Sequence, residues 1–402
     1  MLSFEDARKT ILAHVSPLGA ERVPLPDAPG RVLAEDAVAP WDMPQWDHAA
    51  MDGYAVRSGD CGAIPRTLAV TGFIPAGRMG DALEPGGALR IMTGAPLPPG
   101  CDAVVPLEDT DNGRRAVTLL QPVREGQHIR RRGNEIREGS VFAASGTPVG
   151  PPLVGMLASF GMVMAPVRRR PVVAIVTSGD ELIEPGRSPG PGEVINGNAL
   201  ALAAAVREAG GIPRVIGIAR DNRVSHRTLL EEGLGADVLV TSAGVSAGDR
   251  DFVRDVLDEL GAGRIFWRVA MRPGGPSAFY LHDSTPVFCL PGNPQATLIT
   301  FEEFVRPALL RMQGLRQVLR PLFRAVLRDG LAKRPGSVQI IPVRLERGDG
   351  TWYASPDLRR LSSIDAPLSG AKALAVLPFE AGSFDAGDGV EVHFWGPLAD
   401  LV

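Results

Sequence analysis

The chain has 402 residues, 45% hydrophobic and 22% charged, an ordinary globular balance that is too long for one core and sets an expectation of two to four domains. A formal net charge of -4 argues against nucleic acid as the main partner, and three widely spaced cysteines (Cys61, Cys101, Cys289) support neither a zinc knuckle nor a disulfide framework. No run approaches about 18 uninterrupted apolar residues, and the first residues carry carboxylates rather than a basic segment before an apolar one, so no membrane span or signal peptide is expected and the cytoplasm is the expected compartment.

The first predicted element is a helix over 3–15. Phe4, Ala7, Ile11, Leu12 and Val15 recur there at helical spacing, and Ser3 and Asp6 are placed like a capping box. From about 40 to 140 the chain is dense in Gly and Pro with short apolar runs, which suits a small β-rich module. A helix around 153–160 follows. From Pro171 the texture alternates between strand and helix: strands at 172–176, 215–218, 238–240, 265–267 and 287–290, with helices at 199–209, 225–234, 252–260 and 294–312. That rhythm reads as α/β, an open doubly wound and mostly parallel sheet covered by helices on both faces. After about 314, strands at 338–343, 374–377 and 390–394 return between Gly-Asp turns, as in a small β-barrel or sandwich.

Ligands of an open α/β sheet bind at the carboxyl ends of its strands. Three such ends are polar and glycine-rich: Thr177-Ser-Gly-Asp-Glu181, then Thr241-Ser-Ala-Gly-Val-Ser-Ala-Gly248 leading into Asp249-Arg-Asp251, and Pro291-Gly-Asn-Pro294. Each places backbone N–H groups and hydroxyls beside a helix N-terminus, an arrangement that binds phosphate. Asp180, Glu181, Asp221, Asp249 and Asp251 fall along the same edge, where they would repel a phosphate unless a cation lay between; hard oxygen donors point to Mg²⁺. Taken singly, Asp249 or Asp251 could be a helix cap and Asp221 a turn residue.

Gly244-Val-Ser246-Ala-Gly248 has the spacing of a hydrolase nucleophile elbow. Ser246, however, comes six residues after Val240, and Asp283 with His393 makes no convincing triad. The runs at 130–132 and 168–170 are three arginines each without interleaved aromatics, so a solvated face or an interface is expected rather than nucleic-acid binding. The residues alone therefore lead to a magnesium-dependent site for a phosphorylated small molecule.

The same loops resemble those of the molybdopterin molybdenumtransferase family, to which a region of the animal protein gephyrin is also similar. The resemblance is carried, in order, by Met51-Asp-Gly-Tyr-Ala-Val56, Ile91-Met-Thr-Gly-Ala-Pro96, Thr177-Ser-Gly-Asp-Glu-Leu182, Ser242-Ala-Gly-Val-Ser-Ala-Gly248, Met271-Arg-Pro-Gly-Gly-Pro276 and Leu290-Pro-Gly-Asn-Pro294. It implies an elongated homodimer of four domains: 1–39 with 141–170 as a helical linker domain, 40–140 β-rich, 171–315 α/β and molybdopterin-binding, and 316–402 a β-barrel. It also implies Mg²⁺-dependent insertion of molybdenum from molybdate into adenylylated molybdopterin with release of AMP, and other molybdenum-cofactor biosynthesis proteins as further partners. By the same resemblance the catalytic residues are Asp52, Thr93, Glu181, Asp221 and Asp251. The last three also hold the metal, and Asp52 and Thr93 act across the dimer interface. Ser242, Gly244, Ser246, Gly248, Arg268, Arg272, Pro291, Gly292 and Asn293 are the implied substrate-binding positions.

The chain departs from the family pattern at its oxyanion pocket. The family's Lys-Pro-Gly-Lys-Pro reads Arg272-Pro-Gly-Gly275-Pro here, a Gly-Arg step reads Gly336-Ser337, a Gly-Ser step ahead of Ser362-Ser363 reads Asp357-Leu358, and the serine after the Asn-Pro-x step is Ala296. A doubly charged oxyanion is normally held by Arg, Lys and hydroxyl donors. Arg268, Arg359 and Arg360 are the candidates to replace the missing charge. The resemblance thus leaves two expectations, a transferase with weakened molybdate handling and a divergent, non-catalytic paralogue that binds the pterin nucleotide or a partner protein.

Overall fold

The computed structural model describes residues 1–244, 252–356 and 370–395. They divide into two compact units. One is assembled from three stretches of chain, Met1–Ala34, Gly146–Gly150 and Met164 onward; the other comprises Glu35–Ser145 and Pro151–Val163.

The larger unit is built on a six-stranded sheet in the order Ile212–Ala219, Val172–Ser178, Val238–Ser242, Thr285–Leu290, Ala278–His282, Gly263–Trp267. The first four strands are parallel, Ala278–His282 runs antiparallel to them, and Gly263–Trp267 pairs antiparallel with it and so runs in the direction of the first four. Val173–Val176 and Val238–Val240 are at most 1% exposed, as expected of strands covered on both faces. One face packs against Leu202, Val206, Phe304 and Leu309, the other against Leu230, Val256 and Leu257. The fold is therefore the expected multidomain α/β architecture with a mostly parallel central sheet.

Two details of this sheet and the helices that cover it differ from the sequence reading, and the C-terminal region adds two strands that were not expected, Phe323–Leu327 and Thr351–Pro356. Ala278–His282 is a strand that was not expected, joined to Thr285–Leu290 by a two-residue turn in which Asp283 has φ 50°. Asp-Ser lacks the Asn-Gly or Asp-Gly signature that announces such hairpins. The helix expected over 294–312 is Pro294–Thr300, a π-helical turn Phe301–Val305, and Arg306–Met312 in succession.

The N-terminal helix Phe4–Ala13 starts as expected. Ser3 accepts the Asp6 N–H at 3.1 Å and donates its hydroxyl to Asp6 Oδ2 at 2.7 Å. Its buried residues Phe4, Ala7 and Ile11 join the core that holds Val173 and Phe304. At the other end of the chain, Val338–Gly348, Thr351–Pro356, Phe323–Leu327, Gly389–Phe394 and Ala373–Leu377 pair in that order, and the last closes back on the first to form a five-stranded barrel. Closure leaves no open strand edge. Met271–Arg272 adds in parallel to Val338–Gln339, tying the Arg272 loop to the barrel.

The smaller unit carries a five-stranded sheet in the order Ala103–Pro106, Gly53–Val56, Gly87–Ile91, Arg66–Ile74, Ala116–Leu119. Gly53 admits no other residue, because a Cβ there would lie 2.0 Å from the Val105 carbonyl oxygen.

Candidate active site

The carboxyl ends of the parallel strands open on a cleft of about 420 Å3. Its floor is a clasp of polar side chains. Thr177 and Ser178 end the first strand, and Asn196 caps the helix Gly197–Glu208 by accepting the Ala199 N–H at 3.4 Å. Asn196 Nδ2 also donates to Thr177 Oγ1 at 2.9 Å, so one side chain joins strand end to helix start. Asn198 Nδ2 donates to Ser242 Oγ and to the Gly292 carbonyl, both at 2.9 Å, joining two further strand ends. Ser242 donates in turn to the Pro291 carbonyl at 3.3 Å, while Asn293 caps Pro294–Thr300 by accepting the Ala296 N–H at 3.2 Å. Ala243 and Gly244 both have φ 75°, so the chain leaves the strand Val238–Ser242 through two left-handed residues.

The acidic edge is equally built. Asp180 Oδ1 accepts the Asp221 N–H at 3.0 Å, which clamps two strand-end loops together. Arg220 Nη1 donates to the carbonyls of Gly179, Asp180 and Leu182 at 3.3, 3.1 and 2.9 Å. Gly179 has φ 147°, and a Cβ there would fall 2.4 Å from Glu181 Oε2, so glycine lets that carboxylate fold back over the backbone. Arg220 is thus a protein cation inside the acidic edge, which the sequence reading did not anticipate.

Of the expected residues, Glu181, Ser242 and Gly292 line the cleft, Pro291 and Asn293 adjoin it through the contacts above, and Asp221 is held to its rim through Asp180. Gly244 begins the loop leaving the strand Val238–Ser242. Ser246, Gly248, Asp249 and Asp251 lie outside the described residues, as do Asp357, Leu358, Arg359, Arg360, Ser362 and Ser363. Arg268 and Arg272 are both exposed and do not line the cleft; Arg268 opens and Arg272 lies within a tight loop in which Arg268 N donates to Ser277 O at 3.0 Å and Val269 N to Gly275 O at 2.9 Å. The Arg268 guanidinium stacks 4.9 Å from the Trp267 ring centre. Strand pairing sets Ser337 beside this loop, so two of the departures from the family pattern are neighbours.

Asp52 and Thr93 belong to the smaller unit and are bonded to each other: Thr93 donates both its N–H and its hydroxyl to Asp52 Oδ1, each at 2.7 Å. The Thr93 backbone N–H, and then its hydroxyl, hold the Asp52 carboxyl below the usual carboxylate range. The sequence reading missed Asn196, Asn198, Ser178, His226 and Arg220. Asn196-Gly-Asn198 directly before an Ala- and Leu-rich helix was a legible capping signal.

Three family models match the chain in order: the MoeA N-terminal region (domain I and II) over 2–161, a probable molybdopterin binding domain over 174–311, and the MoeA C-terminal region (domain IV) over 324–395. A curated relative from Mycobacterium tuberculosis (strain CDC 1551 / Oshkosh), molybdopterin molybdenumtransferase 2, is 38% identical over 92% of this chain and 95% of its own length. The chain belongs to the molybdopterin molybdenumtransferase family. It is accordingly an enzyme, a transferase of molybdenum cofactor biosynthesis. The molybdopterin molybdenumtransferase of Bacillus subtilis (strain 168) is 34% identical over 92% of this chain and 89% of its own. The crystal structure of a molybdopterin biosynthesis MoeA protein from Pyrococcus horikosii superposes with a TM-score of 0.87 at 32% identity, covering 99% of this chain and 100% of that one.

The expected metal has a donor set of the right chemistry. Mg²⁺ takes oxygen ligands, commonly one or two carboxylates completed by substrate phosphate and water. Glu181 and Asp221 are carboxylates at the cleft edge. Among the described residues no three His, Cys, Asp or Glu side chains gather closely enough to form a metal cage.

Proposed function

We propose that this chain inserts molybdenum from molybdate into adenylylated molybdopterin, releasing AMP, in a Mg²⁺-dependent reaction of the cytoplasm. The observation that carries the proposal is the cleft itself, in a chain of this family: a pre-formed polar floor at the switch between parallel strands, with a helix N-terminus and two carboxylates on its margin. The first N–H groups of Gly197–Glu208 suit a phosphate. Asn196 and Asn198 hold three strand ends in register, so binding does not have to organise them. Glu181 and Asp221, with Asp251, would hold Mg²⁺, which when bound neutralises charge on the phosphate undergoing cleavage. Glu181 is folded back against Gly179, and the Asp221 backbone is clamped to Asp180, which fixes the two loops that carry these carboxylates before substrate arrives.

Asp52 and Thr93 are proposed to complete the site of a partner subunit in a homodimer. Their mutual hydrogen bonds keep the Asp52 carboxylate ionised and aimed. No helix among the described residues is long and apolar enough to cross a membrane. The test is AMP release by the purified chain with adenylylated molybdopterin, molybdate and Mg²⁺, each omitted in turn. Release that needs all three supports the proposal; release indifferent to molybdate would refute it.

A second reading, binding of the pterin nucleotide without metal transfer, is favoured by one observation. Gly275 has no side chain, and Ala296 is apolar and only 4% exposed, so two positions expected to donate to an oxyanion offer no side-chain donor. Nucleotide binding without molybdate-dependent turnover would select it.

A further inference from the structure

Ser178 closes the strand Val172–Ser178 and lines the cleft, yet it is only 6% exposed. Its Oγ lies 2.8 Å from His226 Nε2. His226, 1% exposed, sits on the helix Arg223–Leu234 with its ring 5.5 Å from that of Phe252. Its other nitrogen, Nδ1, is 3.0 Å from the Asn222 carbonyl oxygen. A carbonyl only accepts, so in the neutral imidazole the proton is on Nδ1 and Nε2 is bare. Nε2 must then accept the Ser178 hydroxyl proton. What Ser178 has left for the cleft is a lone pair.

The other side chains on the floor are committed differently. Asn198 spends its Nδ2 protons on Ser242 and Gly292, Asn196 spends one on Thr177, and Ser242 donates to Pro291. Together with the Glu181 carboxylate, Ser178 gives this part of the cleft an acceptor edge, beside the backbone donors of the helix start and the second Nδ2 proton of Asn196.

We propose that Ser178 is a specificity-determining residue of the cleft and His226 its positioning residue. By accepting the hydrogen bond of the serine O–H, His226 fixes Ser178 as an acceptor for a ligand that presents an N–H donor, such as the amino or ring N–H edge of a pterin. The inference rests on the function proposed above and adds which atom reads the ring. A ligand presenting a carbonyl at that point would face lone pair against lone pair, and a buried mismatch of that kind discriminates strongly.

The experiment compares Ser178→Ala, His226→Phe, the double variant and His226→Gln in steady-state turnover of adenylylated molybdopterin, with melting temperatures alongside. Phenylalanine keeps a ring against Phe252 and removes the acceptor; glutamine offers Oε1 to Ser178. Each single variant should raise KM about three- to tenfold with kcat within about twofold of the parent. The double variant should be no worse than either single, since both remove the same bond, and His226→Gln should recover the parental KM. An unchanged KM in Ser178→Ala with an active parent, or losses that multiply in the double variant, would overturn the inference and leave the transferase reading intact. A parent that neither binds nor turns over the substrate would overturn that reading, and this inference with it.

Discussion

Asp237 immediately precedes the strand Val238–Ser242, where its carboxylate accepts both terminal nitrogens of Arg169 at 2.6 and 2.7 Å and the Val172 N–H at 2.8 Å. Burial alone would raise this carboxyl, but the Arg169 fork and the N–H outweigh it and hold it below the ordinary range. A depressed carboxyl contributes stability that is present above its unfolded value of about 3.9 and lost as pH falls through the lower folded value. Asp237→Asn should therefore cost about 1–3 kcal/mol near pH 7, and the gap in urea midpoint between parent and variant should narrow below about pH 4. A gap independent of pH would mean that the ion pair contributes nothing. Arg168 is likewise occupied, donating to the Leu18 and Ala34 carbonyls at 3.1 Å, and Arg131 and Arg132 pair with Asp47 and Asp42. The two arginine runs, legible as charge, were not legible as internal ties because their partners lie tens of residues away in sequence. At the Arg272 loop, a Cβ on Gly275 would stand 3.2 Å from the Met271 carbonyl oxygen, tight but not at a left-handed φ. The double variant Gly275→Lys, Ser337→Arg should accordingly fold and raise apparent molybdate affinity at least about tenfold in the AMP-release assay, one charge-assisted hydrogen bond being worth about 1.5–3 kcal/mol. No gain over an already active parent would show that another residue supplies the charge.

The π-helical turn Phe301–Val305 carries Glu302 and Glu303 into a buried charge network. Glu303 meets His393 of the barrel at 2.9 Å and Arg8 of the N-terminal helix at 3.3 Å, while Glu302 accepts from Arg320 at 2.7 Å. Burial would push the His393 imidazole down, but the Glu303 carboxylate and the Phe394 carbonyl outweigh it and hold it up. A raised histidine contributes stability that is fully present below its unfolded value, about 6.5, and lost as pH climbs through the folded one. The parent's melting temperature should fall over that window, whereas Glu303→Ala should be less stable by about 3–5 kcal/mol at pH 6 and flatter with pH. A variant that keeps the parent's slope would assign the pH dependence to another group. The helix Phe4–Ala13, with a clear apolar stripe and a capping residue, was legible because both signals are local, whereas Arg223–Leu234 was expected only from 225 because its Asn222 cap was not read. The π turn was not, since the groups that hold Glu303 inward come from residues about 90 and 300 positions away in the sequence and the Arg320 that holds Glu302 lies 18 positions on. The cleft was legible as polar strand ends; its clasp was not, because Asn198 acts on Ser242 and Gly292, which only the folded sheet makes adjacent.

At the scale of the whole molecule, the proposed dimer makes a prediction that a monomeric enzyme could not satisfy. Asp52→Ala and Glu181→Gln homodimers should each lose at least about tenfold in AMP release, taking one charge-assisted contact as the measure. Subunit exchange between them should restore activity, because the mixed dimer regains one intact site. Sedimentation as an active monomer, or no recovery on mixing, would refute the shared site. The larger unit is also discontinuous in sequence, and its first helix sets Phe4 against Phe304 in a tilted contact with ring centres 5.8 Å apart. During synthesis, the residues that cover Phe4, Ala7 and Ile11 emerge roughly 15–60 s after the helix itself, at about 5–20 residues per second. For that interval the helix leaves the ribosome with an uncovered apolar stripe, and the entire inserted unit is made before the first element of the chain can take its native place.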